Sequence, residues 1–215
     1  MVVGAICWAL CLLFFIDQGI AEAASKAPYS PITNLISDLG VTRCGPLALG
    51  SYHNSICSPL HALIDWTFVV VGVLQALGAI LLFPAWPRQS REWINGMIGL
   101  ALIPMAGACL TIVGLAPENV SPDAHATAAK IGIYLLNAAV LQIGISLVRV
   151  SRVAGGLSLV AAITGWVGTG LLFGAATAVP LGLSERLADF PGSGVLVALG
   201  VFVLARALHA RLRTS

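Results

Sequence analysis

The stretch that decides the fold is LHALIDWTFVVVGVLQALGAILLF, residues 60–83, in which Asp65 is the single formal charge. A helix needs about 20 consecutive apolar residues to cross the hydrocarbon core of a bilayer, and this run supplies them. A buried strand would be a run of about 4–8 residues between turn signals, which this one exceeds several-fold. Residues 60–83 therefore read as a membrane helix. Working outward, Trp93–Leu115, Ala126–Val148 and Val153–Val179 repeat the pattern. A shorter run from Gly194 to Leu208 reaches a full span if Arg206 carries its guanidinium to the interface.

The first run, Val2–Ile16, is followed by Asp17 and the softer stretch Gln18–Ala24. Two readings stay open for it: a retained helix, or a secretory signal cut near Ala21-Glu22-Ala23. The absence of Lys or Arg before the run favours the helix. The expectation is one membrane domain over residues 1–215, an all-α bundle of six helices at about 2–24, 60–83, 93–115, 123–148, 153–179 and 192–208.

Composition supports this class. Of 215 residues, 58% are hydrophobic and 9% charged, with a mean hydropathy of +0.95. Soluble domains carry about a quarter charged residues. A soluble enzyme, a nucleic-acid binder and a disordered chain are excluded. The net charge of +2, from 11 Lys and Arg against 9 Asp and Glu, is too small for a general polyanion-binding surface. No Gly-rich phosphate loop or GxSxG elbow is present.

Basic residues in short loops mark the cytoplasmic side. Arg88, Arg91, Arg149, Arg152, Arg206, Arg211 and Arg213 fall on one side, and Lys26, Arg43, Lys130 and Arg186 on the other. Both termini are thus expected in the cytoplasm, with the polar connection 25–59 outside. Cys44 and Cys57 would then lie where oxidation is allowed, and a disulfide between them is expected, contributing on the order of 3 kcal/mol in the chain-entropy model. Cys7, Cys11 and Cys109 read as small buried hydrophobes.

Three Ser-Pro pairs, Ser30-Pro31, Ser58-Pro59 and Ser121-Pro122, look like helix starts on the outer side. If their N-termini converged they would favour an anion. Ile32, Leu35, Ile36 and Leu39 keep helical spacing before Gly40, so a short amphipathic helix is expected to lie on the bundle. In the fifth helix, Gly170 and Gly174 form a small-xxx-small pair suited to close helix approach, either within the bundle or between copies. Pro104 is expected to kink the third.

Tyr29-Ser30 with Asn34, Ile36-Ser37-Asp38-Leu39-Gly40, Asn54-Ser55, and Gly114-Leu115-Ala116-Pro117-Glu118 followed by His125 are the most specific features of the chain. In these motifs the sequence resembles the bacterial and archaeal integral-membrane family called domain of unknown function 998. That family is distantly similar to the FRAG, DRAM and Sfk membrane proteins. The resemblance implies a six-helix fold in a prokaryotic plasma membrane and no particular reaction. The chain departs from the family at Ala116, where Phe is usual, and adds Cys44, Cys57 and His61.

His61 and Asp65 share a helix face, with Gly72 and Gln75 further along it. An acid inside a membrane helix needs a partner. Lys130, followed on its own face by Tyr134, Asn137 and Gly144, is the expected one. Asp38, Asp65, Lys130, Glu118 and His125 are expected to line an outward-facing polar pocket. The function expected is non-enzymatic: binding a lipid or small amphiphile, or serving a membrane assembly with a protein partner. No nucleic-acid partner and no cofactor are expected. An alternative is a hydrolase of lipid esters or amides, with zinc held by His61, Asp65 and His125 and a carboxylate from Asp38, Glu118 or Asp123. A small transporter, using Gln75, Asn137 and Gln142, is a further one.

Overall fold

The computed structural model describes residues 1–50, 52–88, 92–174 and 179–213. Arg91, counted above for orientation, lies outside them, as do residues 175–178 at the expected end of the fifth helix. Among the described residues seven α-helices make six spans. The first span is α1 (Val2–Leu10) and α2 (Leu13–Ala24), joined through a tight turn at Cys11 and Leu12; α3 is His61–Leu82, α4 Trp93–Leu115, α5 Pro122–Leu147, α6 Arg152–Phe173 and α7 Leu181–Leu212. All six spans are long and apolar enough to cross a membrane.

Sequence neighbours are neighbours in space. The packing runs α1 and α2 on α3, then α4, α5, α6 and α7, and α7 returns to α1, closing a ring. Two apolar clusters fill it. One, around Phe14, Ile64, Phe68, Val71 and Val113, lies toward the end that carries residues 25–60. The other, around Trp8, Leu100, Ile103, Val140, Ile143 and Leu196, fills the opposite half. The outward faces stay apolar: Val153, Val160 and Ile163 of α6 are more than half exposed. Backbone polar groups are satisfied within each helix, so such faces suit lipid. Met1, Val150 and Arg206 border one cavity, which places both termini at the end away from residues 25–60.

Residues 25–60 form a cap that differs from expectation. An antiparallel hairpin, β1 (Gly45–Leu49) and β2 (Tyr52–Ile56), pairs Gly45 with Ile56 and Leu49 with Tyr52. The expected Cys44–Cys57 disulfide closes its base. Val41, Leu47 and Ile56 make a small core under it. The expected amphipathic helix is absent; residues 31–36 are irregular and only Ser37–Gly40 forms a 3₁₀ turn. Side chains compete for the backbone there. Asn34 accepts from the Ser30 N–H, Asp38 from the Leu35 N–H, and Glu185 of α7 from the Ile36 N–H. Donors that a helix would use locally are thus held by carboxylates and an amide.

The last helix begins earlier than the hydropathy suggests, at Leu181 rather than about 192. Arg186, expected in a loop, lies on this helix beside Glu185, and both find partners in the cap. Of the Ser-Pro pairs, only Ser121-Pro122 starts a helix in place. The Ser58 hydroxyl instead donates to the Leu39 carbonyl at 2.6 Å, tying the cap to the start of α3. Within the chain, neither Gly170 nor Gly174 approaches another helix closely. Gly170 faces open space, and α6 meets α7 at Gly168 instead.

Candidate functional site

The site is built where α7 enters the cap. Arg186 reaches back across the 25–40 segment: Nη1 donates to the carbonyls of Pro31 (2.8 Å), Asn34 (2.9 Å) and Gly182 (3.1 Å), and Nη2 to the Tyr29 hydroxyl at 2.6 Å. Its guanidinium also lies 5.8 Å from the Tyr29 ring centroid and 5.9 Å from that of Phe190. The planar fork of arginine meets several acceptors at once, which a lysine ammonium does less well. Tyr29 hands the connection on to the Leu35 carbonyl at 3.0 Å.

The adjacent residue in α7, Glu185, binds the Ile36 N–H, so the 35–38 turn is held from both sides. Within that turn Asp38 is fully buried. Its Oδ2 accepts from Asn34 Nδ2 (2.9 Å), the Leu35 N–H (3.2 Å) and the Tyr52 hydroxyl, which β2 delivers from the hairpin. Asn54 of β2 supports Tyr52 through a 3.1 Å bond.

Glu118, in the α4–α5 connection, completes the group and is 3% exposed. Its carboxyl interacts with the Asp38 carboxyl and the Ser37 hydroxyl. Burial, then the charge of Asp38, pushes the Glu118 carboxyl well above its ordinary range, and burial raises Asp38 as well. Asp38 Oδ1 and Glu118 Oε1 are buried with no hydrogen-bond partner among the described residues. A proton retained by Glu118 and donated to Asp38 accounts for this, since two carboxylates at contact cannot both ionise. Burial likewise raises the Tyr29 and Tyr52 hydroxyls, keeping both neutral donors.

Beside this group opens a vestibule of about 460 Å³. The end of β1 with Gly50, the start of α5 and the end of α6 (Leu172, Phe173) wall it; Glu118, Asp123, His125 and Glu185 are its ionisable groups, with no Lys or Arg among the described lining residues. A smaller cavity of about 50 Å³ shares Ser37, His125, Ala129, Ile133 and Glu185 with it and reaches Asp189 and Gln75 inside the bundle. The Gln75 Nε2 is buried without an acceptor. Below Gln75 the ring closes on the second apolar cluster. His125 Nδ1 lies 2.9 Å from the Ala116 carbonyl, which holds the α4–α5 connection against α5.

Several expected relationships are not formed. Lys130 is exposed on α5, its Nζ 5.5 Å from the Phe173 ring centroid, rather than paired with Asp65. Asp65 instead lies under Gly40 and faces His61 Nδ1 at 3.7 Å. The one-turn spacing within α3 is a nearer source of a partner than a second helix. Among the described residues no three His, Cys, Asp or Glu side chains are grouped to hold a metal. The expected zinc set of His61, Asp65 and His125 is therefore not assembled. The three Ser-Pro pairs do not supply three converging helix N-termini, since of them only Ser121-Pro122 begins a helix. Of the residues expected in the pocket, Glu118 and His125 line the vestibule, and Asp38 lies behind it against Glu118.

Reading the sequence missed Glu185, Asp189, Arg186 and Tyr52. The i, i+4 spacing of Glu185 and Asp189, with a third charge between them ahead of an apolar run, was the available signal. Asn137, expected in the interior network, is fully buried but serves α5, α6 and α7, donating to Thr169 Oγ1 (3.0 Å) and the Ala188 carbonyl (2.9 Å).

Comparison with known proteins adds the family. A family model described as protein of unknown function (DUF998) matches residues 3–202. The chain belongs to this family. The match takes in the cap, the vestibule and the whole ring of this DUF998 protein, up to Phe202 of α7. No curated protein and no solved structure matches the chain.

Proposed function

We propose that the protein binds a lipid or small amphiphile whose head is cationic or rich in hydrogen-bond donors, in the vestibule beneath the cap. The observation that carries this reading is the vestibule's lining: apolar walls from Leu172, Phe173 and Ile133, with the carboxyls of Glu118, Asp123 and Glu185, the imidazole of His125, and no Lys or Arg among the described lining residues. Its volume of about 460 Å³ falls within the range of small-molecule pockets, about 300–1,000 Å³. The arginine asymmetry supports a cell-membrane protein with its cap outside and both termini in the cytoplasm. The occupant would then be taken from the outer leaflet or the medium.

The test is a thermal-shift comparison in mild detergent of decyltrimethylammonium with decyl sulfonate, which share a chain and differ in head charge. The cationic amphiphile should raise the melting temperature and the anionic one should not. The gain should shrink in Glu185→Gln. Equal shifts for both heads, or an undiminished gain in the variant, would remove the reading.

Transport would need a continuous polar path past Gln75, where the second apolar cluster is interrupted by single buried polar side chains such as Asn137 and Ser146. Metal-dependent hydrolysis would need ligands that the described residues do not bring together.

A further inference from the structure

A second pair of cavities lies at the opposite end of the bundle. The larger, about 370 Å³, sits between α1, the end of α3 and α7, with Trp8, Leu82, Trp86 and Leu199 among its walls. The smaller, about 150 Å³, runs along the α6–α7 crevice. They share Ser151, Ala154, Leu199 and Phe202, so they form two adjoining slots divided by a narrow wall. Both are almost wholly apolar and open at the bundle surface.

Arg206 stands at their mouth. It is exposed, its guanidinium is 5.7 Å from the Phe202 ring centroid, and among the described residues it has no carboxylate partner. The same end of the chain carries Arg88, Arg149 and Arg152, and its acid Glu92 is engaged by Arg149 at 2.9 Å. No Asp or Glu follows Asp189 in the sequence. A cationic rim over a forked apolar crevice matches one occupant: a two-chain lipid with an anionic head.

We propose that the protein binds an anionic phospholipid here, with the acyl chains in the two slots and the phosphate at Arg206. The site is separate from the cap vestibule in position and opposite to it in charge. Helix-lined basic crevices at a membrane surface select anionic lipid because each nearby arginine favours the negative head, while the slots supply the chain contacts.

Native mass spectrometry of the full chain, released from detergent with added phosphatidylglycerol or phosphatidylcholine of identical chains, tests the proposal. Wild type should retain phosphatidylglycerol in preference to phosphatidylcholine, and Arg206→Gln should weaken the former roughly fivefold and leave the latter unchanged. Ala154→Leu, which fills the wall common to both slots, should lose both lipids while keeping its helical circular dichroism. Glycerol phosphate, the head without chains, should not be retained. Equal retention of the two lipids by wild type, or unchanged selectivity in Arg206→Gln, overturns the proposal even if Ala154→Leu fails to fold. Retention of glycerol phosphate alone would overturn the lipid assignment in favour of a phosphate site.

Discussion

Asp38 and Glu118 meet across the cap, each with an oxygen that no other group serves. Because both carboxyls are raised by burial, the folded protein holds protons that the unfolded chain releases above its ordinary carboxylate range, near 4. Stability from these groups is therefore fully present at acidic pH. It falls as the pH rises from that range, at up to about 1.4 kcal/mol per pH unit for each proton difference. The melting temperature should be higher at pH 5 than at pH 8. Glu118→Gln, which keeps a donor for Asp38 without a titrating proton, should flatten this dependence. A slope unchanged in the variant would show that the pair does not hold the proton.

Arg186 is the clasp between α7 and the cap. Arg186→Lys keeps the charge but cannot reach three carbonyls and the Tyr29 hydroxyl together. Hydrogen exchange should accelerate across residues 29–40 in this variant, while the amides of α4 and α5 stay protected. Arg186→Gln should do the same with a larger effect. Protection lost throughout the bundle instead would make Arg186 a determinant of the whole fold.

The helices and the cap were not equally legible in the sequence. The six spans follow from apolar runs of fixed length, because lipid tolerates few charges and allows no open backbone. The disulfide followed from loop position. The charged start of α7 was hidden because hydropathy reads Glu185 and Arg186 as loop, whereas the cap supplies an N–H to one and carbonyls to the other. The hairpin was hidden because Leu47, Leu49, Tyr52 and Ile56 make too short an alternation to stand out. The pocket was half legible: Asp38, Glu118 and His125 lie in polar motifs, but which helix faces them depends on the closure of the ring.

Asn137 joins three helices from a position with no exposed surface. Asn137→Ala should lower stability by about 1 kcal/mol, since interhelical hydrogen bonds in membranes average about 0.6 kcal/mol and a small void is added. Thr169 would keep its bond to the Gly165 carbonyl at 2.7 Å, so little else is orphaned. Asn137→Asp should be far more damaging, because it places a carboxylate among apolar side chains. Reversible denaturation in mixed micelles would rank the two, and equal stability would mean that water reaches Asn137.

Gly182 and Gly170 make opposite predictions for the same substitution. A Cβ on Gly182 would stand 2.2 Å from the Asn34 carbonyl oxygen, with the backbone carbon and nitrogen of Asn34 within 3 Å. These are main-chain atoms fixed by Arg186 and the 30–38 turn, so the neighbour cannot turn aside. Gly182→Ala should push α7 away from the cap, weaken the Arg186 contacts and reduce amphiphile binding in the vestibule. Gly170, in the last turn of α6, has nothing within 4 Å of its added Cβ. Alanine there should be neutral or stabilising by up to about 1 kcal/mol, the gain in helix propensity. Thermal unfolding of the two variants side by side separates close packing from propensity. Destabilisation of Gly170→Ala would instead reveal a contact outside the single chain, as a helix face shared between two copies would provide.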